Sequence, residues 1–369
     1  MAQYKTLVDK VSIPPNMKTK QKDYESQGTL AIVDQGKKLI GGYTNNAEMA
    51  LQCKLPVIVF GDHTCAVKFV NFPFGAGADG IKVLSPKNGI LPKYLFYGTQ
   101  YLTLRFPDKG YARHYQHIEK MDLPVPSIET QQNIVSSIEE LFSELDKGVE
   151  TLQTIKEQLA VYRQAVLKEA LNGIKGQPYT VKDVCKEIKV GIVIKPSQYY
   201  TDEQVGIKAF RSANVREFHV EDKNWAYLSI AGHQANARSI VHTGDILIVR
   251  SGYPGTACVV PEQFNGCNAI DILIAVPNRD LVLPEFLCAY TNSPLGKKFV
   301  NEKKRGVGQK HFNVSGYSKM LISVPSLDKQ EEIVKKIASR LSVCDSIERT
   351  VNTALAQAEA MRQSILKKA

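Results

Sequence analysis

Two stretches of the chain place an apolar residue at nearly every third or fourth position for more than thirty residues. Within residues 125–170 the steps alternate between four and three from Ile134 to Val166, which is typical of a helix that packs in a coiled coil. Residues 324–369 keep this spacing except at Arg340, which interrupts it beside Leu341. Each stretch predicts a long helix, roughly 69 Å in length at ~1.5 Å per residue. The predicted seam of the helix pair consists of Ile138, Leu141, Leu145, Leu152, Ile155, Leu159, Ile337, Ile347, Val351 and Met361.

The two stretches are copies of each other. They align without a gap at a constant offset of 199 residues, and 17 of the 46 aligned pairs are identical. Both begin with Val-Pro-Ser, in which Ser127 and Ser326 are the expected N-caps, and Gly173 is the expected stop of the first helix. Shorter stretches upstream also correspond, among them LPKYLF (91–96) and LPEFLC (283–288). We therefore predict a duplicated unit.

The β-branched, apolar runs at 57–59 and 246–249 predict one buried strand in each globular block. Residues 283–300 predict a short helix that breaks at Pro294. The expected fold class is α+β (mixed α/β), with two long coiled-coil helices that pair antiparallel and give the chain pseudo-twofold symmetry. The predicted boundaries are a globular domain at 1–123, a long helix at 124–173, a second globular domain at 174–323 and a second long helix at 324–369.

The composition indicates an ordinary globular protein. The chain has 369 residues, and 43% of them are hydrophobic, which is enough for a packed core. No stretch approaches the ~20 apolar residues of a membrane span, and the N-terminal residues do not resemble a signal peptide. The seven cysteines form no Cys-x-x-Cys pair, so we expect reduced thiols in a cytoplasmic protein and no zinc site.

Positive charge is concentrated in the two globular blocks. The net charge of +10 divides into +6 for residues 1–122, −3 for 123–175, +5 for 176–322 and +2 for 323–369. Two basic blocks on either side of an acidic helix suit a polyanionic partner. An ordinary solvated surface is the alternative explanation of the charge alone.

The segment FPFGAGADG (72–80) contains Gly-x-Gly-x-x-Gly, a phosphate-binding sequence when it follows a buried strand and opens a helix. Here Pro73 precedes it, and IKVL, a predicted strand, follows it. In the alignment of the two halves, Gly80 falls opposite Ala269. We therefore interpret the glycines as parts of a turn, and expect no cofactor in this chain. The sequence also lacks a P-loop and a nucleophile–base arrangement, which disfavours an enzyme.

Basic and polar residues accumulate in glycine-rich loops of both blocks. Lys and Arg neutralise phosphates, whereas Arg, Asn, Gln and His read base edges. The clearest pair is KKRGVGQKH (303–311) and GYARHYQH (110–117), which occupy corresponding places. A solvated loop is the alternative. The predicted DNA-binding residues are Lys37, Lys38, Tyr43, Asn45, His63, Arg113, His114, Arg211, Asn214, Arg250, Tyr253, Lys303, Lys304, Arg305, Gln309, Lys310 and His311.

Several stretches together resemble the DNA-specificity subunit of type I restriction-modification systems. The resemblance extends over essentially the whole chain and includes the helix entry VPSxxxQxxIV, which occurs twice. The other stretches are GDHT…FPFGAGADGIKVL (61–84), GDILIVRSG (244–252) and GQKHFNVSGYSKMLISVP (308–325).

The resemblance implies that the globular blocks are target-recognition domains, each reading one half of a bipartite double-stranded DNA site, with the long helices as a spacer. It implies two adenine methyltransferase (modification) subunits and motor-nuclease (restriction) subunits as partners. S-adenosylmethionine, ATP and Mg²⁺ would belong to those partners, and this chain would be non-catalytic. In such subunits the stretch matching residues 306–313 lies near the DNA backbone.

Three alternatives stay open. The first is the specificity subunit of a type II system that cuts on both sides of its site. The second is a self-contained DNA methyltransferase, and the third is a coiled-coil scaffold without DNA contact.

Overall fold

The computed structural model describes residues 1–78, 80–105, 112–303 and 312–369, apart from the side chain of Lys303. The chain divides into two compact units, with residues 1–153 and 352–369 in unit 1 and residues 154–351 in unit 2. Each unit combines sheets, short helices and a part of both long helices, so the mixed helix-and-strand fold class is confirmed. Among the described residues, no helix is long and apolar enough to cross a membrane.

Unit 1 contains strands β1 (Ala2–Gln3), β2 (Val8–Val11), β3 (Lys18–Thr19), β4 (Leu30–Val33), β5 (Gly42–Thr44), β6 (Val57–Gly61), β7 (Val67–Val70), β8 (Phe74–Gly77), β9 (Ile81–Pro86) and β10 (Asp122–Leu123), and helices α1 (Pro92–Thr103) and α2 (Tyr115–Ile118). Its main sheet is antiparallel and has the order β2-β9-β6-β7. A second sheet has the order β3-β8-β4-β5, and β1 pairs with β10.

Strand β6 lies at the centre of unit 1 and is buried on both faces. Ile58 and Phe60 pack in one cluster with α1, whereas Val57 and Val59 pack in a second cluster with residues of β4 and β8. All four side chains are fully buried. Successive side chains of a strand point to opposite faces, so a strand covered on both faces is continuously apolar. The predicted buried strand is confirmed.

Unit 2 contains strands β11 (Gln177–Thr180), β12 (Cys185–Val190), β13 (Ile207–Phe210), β14 (Val215–Arg216), β15 (His219–Val220), β16 (Ala226–Leu228), β17 (Ile246–Val249), β18 (Ala257–Val259), β19 (Asn268–Ala269), β20 (Ile272–Pro277) and β21 (Leu321–Val324), and helices α4 (Ile230–Ala235), α5 (Pro284–Asn292), α6 (Pro294–Lys303) and α7 (Val314–Ser318). Its main sheet, β12-β20-β17-β18, repeats the strand order of unit 1. Strand β17 divides its side chains between two clusters as β6 does, and the predicted helix break at Pro294 is confirmed.

The strand register corrects the alignment of the glycine-rich segment. Gly61 pairs with Ile81 in unit 1, and Val249 pairs with Ile272 in unit 2, so Gly80 corresponds to Asp271 and not to Ala269. Both residues have left-handed backbones, with φ of +77° at Gly80 and +52° at Asp271. Gly75 and Gly77 lie in strand β8, so the prediction that they belong to a turn is wrong, whereas Gly80 stands in the turn that immediately precedes β9. A strand and not a helix therefore follows the glycines.

The long helices are α3 (Ile128–Leu171) and α8 (Leu327–Lys368). Ser127 caps α3, because its Oγ accepts a hydrogen bond from the Thr130 amide at 3.2 Å. Gly173 follows the end of α3 with φ of +66°, a conformation that favours glycine.

In each unit a buried glutamine connects the long helix to the globular part of that unit. The Gln131 side chain donates to the carbonyls of Gly89 and Pro126 and accepts from the Leu91 amide, at 2.9 to 3.0 Å. In unit 2, Gln330 makes the same three bonds with Leu281, Pro325 and Leu283. Both side chains are fully buried, and they explain the glutamine in the repeated entry sequence.

The structure corrects the predicted seam at three positions. Leu141, Ile347 and Met361 are 52%, 40% and 56% exposed, and their neighbours Phe142, Glu348 and Arg362 are more buried. The seam of α8 also continues through Leu341. The other predicted seam residues are buried (Ile138, Leu159, Ile337, Val351) or half-buried (Leu145, Leu152, Ile155).

Ion pairs between the long helices include an arginine at equivalent positions in the two units. In unit 2, Arg163 contacts Asp345 at 2.7 Å and Glu348 at 2.8 Å. In unit 1, Arg362 pairs with Asp146, and its guanidinium lies 4.4 Å from the centre of the Phe142 ring. Arg362 and Asp345 are the repeat equivalents of Arg163 and Asp146 at the 199-residue offset, so one ion pair occurs twice.

We expect Gln131→Ala to lower the free energy of unfolding by about 1–3 kcal/mol, because the Leu91 amide and two carbonyls lose the fully buried side chain that bonds them. Gln132→Ala is the matched control, since Gln132 is exposed on the same turn. Urea unfolding followed by circular dichroism measures both. Equal midpoints for the two variants would contradict the anchoring role of Gln131.

Candidate nucleic-acid interface

Among the predicted DNA-binding residues of unit 2 that the structure describes, the most exposed lies in the hairpin turn between β17 and β18. Tyr253 is 85% exposed at this turn. Gly252 and Gly255, on either side of it, have φ of +81° and +88°, a backbone that L side chains rarely adopt. The glycines therefore let a short turn present an aromatic ring to solvent. Such a ring can stack on a base or contact the edge of a base pair.

Arg250, at the base of this turn, is held by the protein itself. Its Nη1 donates to the Asp271 carboxylate at 2.5 Å, and its Nε donates to the Phe312 carbonyl at 3.2 Å. The Arg250 carbonyl accepts from the Phe312 amide at 3.1 Å. Only 14% of the side chain is exposed. This geometry favours a supporting role for Arg250 over the DNA contact predicted from the sequence.

The equivalent turn of unit 1, between β6 and β7, is held in a similar way. The Asp62 carbonyl accepts from the His114 amide, and its carboxylate accepts from the Tyr115 amide, both at 2.8 Å. The neighbouring His63 donates from Nδ1 to the Ala112 carbonyl at 3.0 Å. His63 is half-buried and His114 is 3% exposed, whereas Arg113 is exposed. Of the predicted residues here, Arg113 is therefore the most accessible to a phosphate.

The remaining predictions in unit 1 fall near the turn between β4 and β5. Lys37 and Lys38 are exposed. Tyr43 is half-buried in β5. Asn45 is exposed, but its side chain bonds the Glu25 carboxylate at 2.8 Å and the Thr29 amide at 3.2 Å. Of the predicted residues at this turn, Lys37 and Lys38 can therefore contact a ligand directly. Asn45 would first have to break its side-chain hydrogen bonds.

Asn214 shapes a loop in unit 2 instead of facing solvent. Its side chain is fully buried, accepts from the Arg211 amide at 2.9 Å, and donates to the carbonyls of Glu221 and Lys223. The half-buried Arg211 bonds the Asn224 carbonyl through its guanidinium. Burial of this kind makes a direct base contact by Asn214 unfavourable. The predicted residues Lys304, Arg305, Gln309, Lys310 and His311, and the side chain of Lys303, lie outside the described residues.

Asp271 is the residue of this region that sequence reasoning missed. It stands where unit 1 has the glycine of the strand-entry turn, and its amide donates to the Ile192 carbonyl at 3.0 Å. Its side chain meets Arg250, so three chain segments converge on it. The strand register identifies Asp271 as the equivalent of Gly80. A gap-free comparison of the two glycine-rich segments misses it, because that comparison places Gly80 opposite Ala269, two residues earlier.

Burial keeps several thiols protonated. The pKa of Cys185 and of Cys258 rises to about 12 and that of Cys267 to about 11, mainly because burial disfavours the thiolate. Burial also raises the pKa of Cys288 well above its usual value. These four groups are poor nucleophiles at neutral pH. Within the part of the chain that the structure describes, no three His, Cys, Asp or Glu side chains cluster as metal ligands.

Comparisons with known proteins agree with this architecture. The chain is 26% identical over 273 residues to the type I restriction enzyme EcoBI specificity subunit of Escherichia coli, which covers 67% of this chain and 57% of that protein. It is 24% identical over 344 residues to the EcoR124I/EcoR124II specificity subunit of Escherichia coli, with coverage of 89% and 83%. The chain thus spans less than two thirds of the length of the EcoBI relative.

One solved structure has the same fold. It is described as the structural basis of complex assembly and conformational transition of the type I R-M system. It superposes with a TM-score of 0.70 at 17% identity, covering 100% of this chain and 96% of the other. The family model described as type I restriction modification DNA specificity domain matches residues 10–159 and again residues 174–357. Because the two matches together cover most of the chain, the protein belongs to the type I restriction-modification DNA specificity family.

Proposed function

We propose that this chain is the DNA specificity subunit of a type I restriction-modification complex, and that each unit reads one half of a bipartite double-stranded DNA site. The observation that carries the proposal is a structural element that occurs once in each unit, which we call the reading element. Each unit has the same antiparallel sheet, and the turn after its central strand is bonded to the segment that follows a basic sequence. Two similar reading elements in one chain suit a site with two half-sites.

The exposed side chains are the best candidates for contact with DNA. Lys37, Lys38 and Arg113 are exposed cations that suit phosphates, and Tyr253 is an exposed aromatic that suits a base. Asn214, His114 and Arg250 are less suited to such contact, because they are buried or bonded to the protein itself. This set of candidate DNA contacts is smaller than the set predicted from the sequence, because several of the predicted residues are buried.

The proposed partners are the subunits that would carry out methylation and cleavage, since a specificity subunit does not. Two methyltransferase subunits dock on the long helices and supply S-adenosylmethionine and adenine methylation, while restriction subunits supply ATP- and Mg²⁺-dependent cleavage. This chain then contributes no catalytic residue. Large apolar side chains on the outer faces of the long helices support such docking, for Val161 is 72% exposed and Val343 is 58% exposed.

Sequencing of methylated bases tests the function directly. We expect a host that expresses this chain with its methyltransferase subunit to carry a bipartite, adenine-methylated motif that disappears when this chain alone is deleted. The methyltransferase without this chain is the control. Saturable binding of S-adenosylmethionine by the isolated chain would instead indicate a self-contained methyltransferase.

The salt dependence of DNA binding tests the predicted phosphate contacts. The double variant Lys37→Ala/Lys38→Ala should reduce the slope of log K against log salt by about 2, since each phosphate contact contributes roughly 0.9. Lys329→Ala/Lys335→Ala removes the same charge from exposed positions on α8 and should leave the slope nearly unchanged. Fluorescence anisotropy at several salt concentrations measures both. Equal slopes for the two variants would place the contacts elsewhere.

A further inference from the structure

The residue that follows the central strand of the main sheet occupies the same structural place in both units. Strand β6 ends at Gly61 and is followed by Asp62, and strand β17 ends at Val249 and is followed by Arg250. In each unit the carbonyl of this residue accepts a backbone hydrogen bond from a residue more than fifty positions later, His114 or Phe312. The bond is long-range, and both copies of the duplicated unit make it.

The side chains reinforce this bond with opposite charges. Asp62 accepts from the Tyr115 amide at 2.8 Å, and Lys82 lies 3.6 Å from its other carboxylate oxygen. Arg250 donates to the Phe312 carbonyl and to Asp271. An acceptor in unit 1 and a donor in unit 2 therefore hold the returning chain at the same point. The two units share the geometry of this contact but not the charge of the residue that makes it. The shared feature therefore points to a positioning role and not to a requirement for one particular charge.

The residues held in this way border the hairpin turns of the candidate interface. In unit 1 the next residue is His63, and its ring bonds to the Ala112 carbonyl. In unit 2 the turn leads to Tyr253 within three residues. A side chain that reads a base must be held to within a fraction of an ångström, because base-edge hydrogen bonds are short and directional. The bonds of Asp62 and Arg250 restrict where each turn can lie.

We propose that Asp62 and Arg250 are positioning residues for sequence reading, and that each acts on its own half-site by fixing the hairpin turn against the returning chain. Neither residue contacts DNA. The inference rests on the proposed function, since it assigns how the reading element is held. It also turns the prediction that Arg250 binds DNA into a prediction that it does not.

Asp271→Asn gives the sharpest test, because an electrostatic role and a positioning role of Asp271 predict different changes in DNA binding. Removal of a negative charge beside a DNA-binding surface should strengthen binding to every sequence if only the electrostatic field matters. If Asp271 holds Arg250 in place, the variant should lose discrimination between preferred and scrambled second half-sites by about tenfold or more. The measurement is competition binding of the full-length chain to duplexes in which one half-site at a time is scrambled.

Arg250→Ala and Asp62→Ala complete the design. Arg250→Ala should lose discrimination at one half-site only, and Asp62→Ala at the other, because each removes the side-chain bond to the returning chain. The salt slope of Arg250→Ala should not change, whereas loss of a phosphate contact would lower it by about 0.9. Arg238→Ala is the matched control, because Arg238 is a largely exposed arginine of the same unit. Circular dichroism confirms that each variant is folded, and the partly exposed Asp271 supplies a milder variant if Arg250→Ala is not.

The outcomes separate the two levels of the argument. Absence of any sequence preference in the unsubstituted chain, with its methyltransferase subunit present, would overturn the proposed function. A clear preference that Arg250→Ala and Asp271→Asn both retain would overturn the positioning role alone. A fall in the salt slope of Arg250→Ala would also overturn it, by showing that Arg250 contacts a phosphate.

Discussion

The side-chain amide of one buried glutamine determines where each long helix begins. The Gln131 side-chain amide donates two hydrogen bonds and accepts one, all of them with backbone groups. The helix start, the loop before α1 and the Val-Pro-Ser entry are thereby fixed to one another. The packing of Val135 and Ile138 on the rest of unit 1 follows from that start, because side chains one turn apart share a face. Gln330 imposes the same constraint in unit 2.

Much of the fold was predictable because long periodic patterns average over local exceptions. The long apolar repeat identified both long helices, and two short β-branched runs identified the central strands. The seam was harder. Leu141 and Phe142 are adjacent and both apolar, so spacing alone could not decide which of them faces inward. At Glu348 a charged residue is half-buried because Arg163 pairs with it, and hydrophobicity cannot anticipate that partner.

The candidate interface was less predictable because the same residue types serve folding and binding. Asn214 and Arg250 lie in polar loops, as Lys37 and Tyr253 do, yet Asn214 bonds to backbone groups of its own loop and Arg250 bonds to the Phe312 carbonyl. Phe312 is 62 residues away from Arg250 along the chain, and nothing local in the sequence points to it. The shifted position of Asp271 had the same origin, since only strand pairing shows which residue of unit 1 it replaces.

The ion pair that occurs twice between the long helices has a consequence for folding errors. An uninterrupted apolar seam tolerates displacement by a whole heptad, roughly 10 Å along the axis, because leucine still meets leucine. Such a displacement would separate Arg163 from both of its carboxylates and leave it against apolar neighbours. Arg362 would lose Asp146 in the same way. The two ion pairs therefore favour, in each unit separately, one alignment of the long helices over an alignment shifted by a heptad.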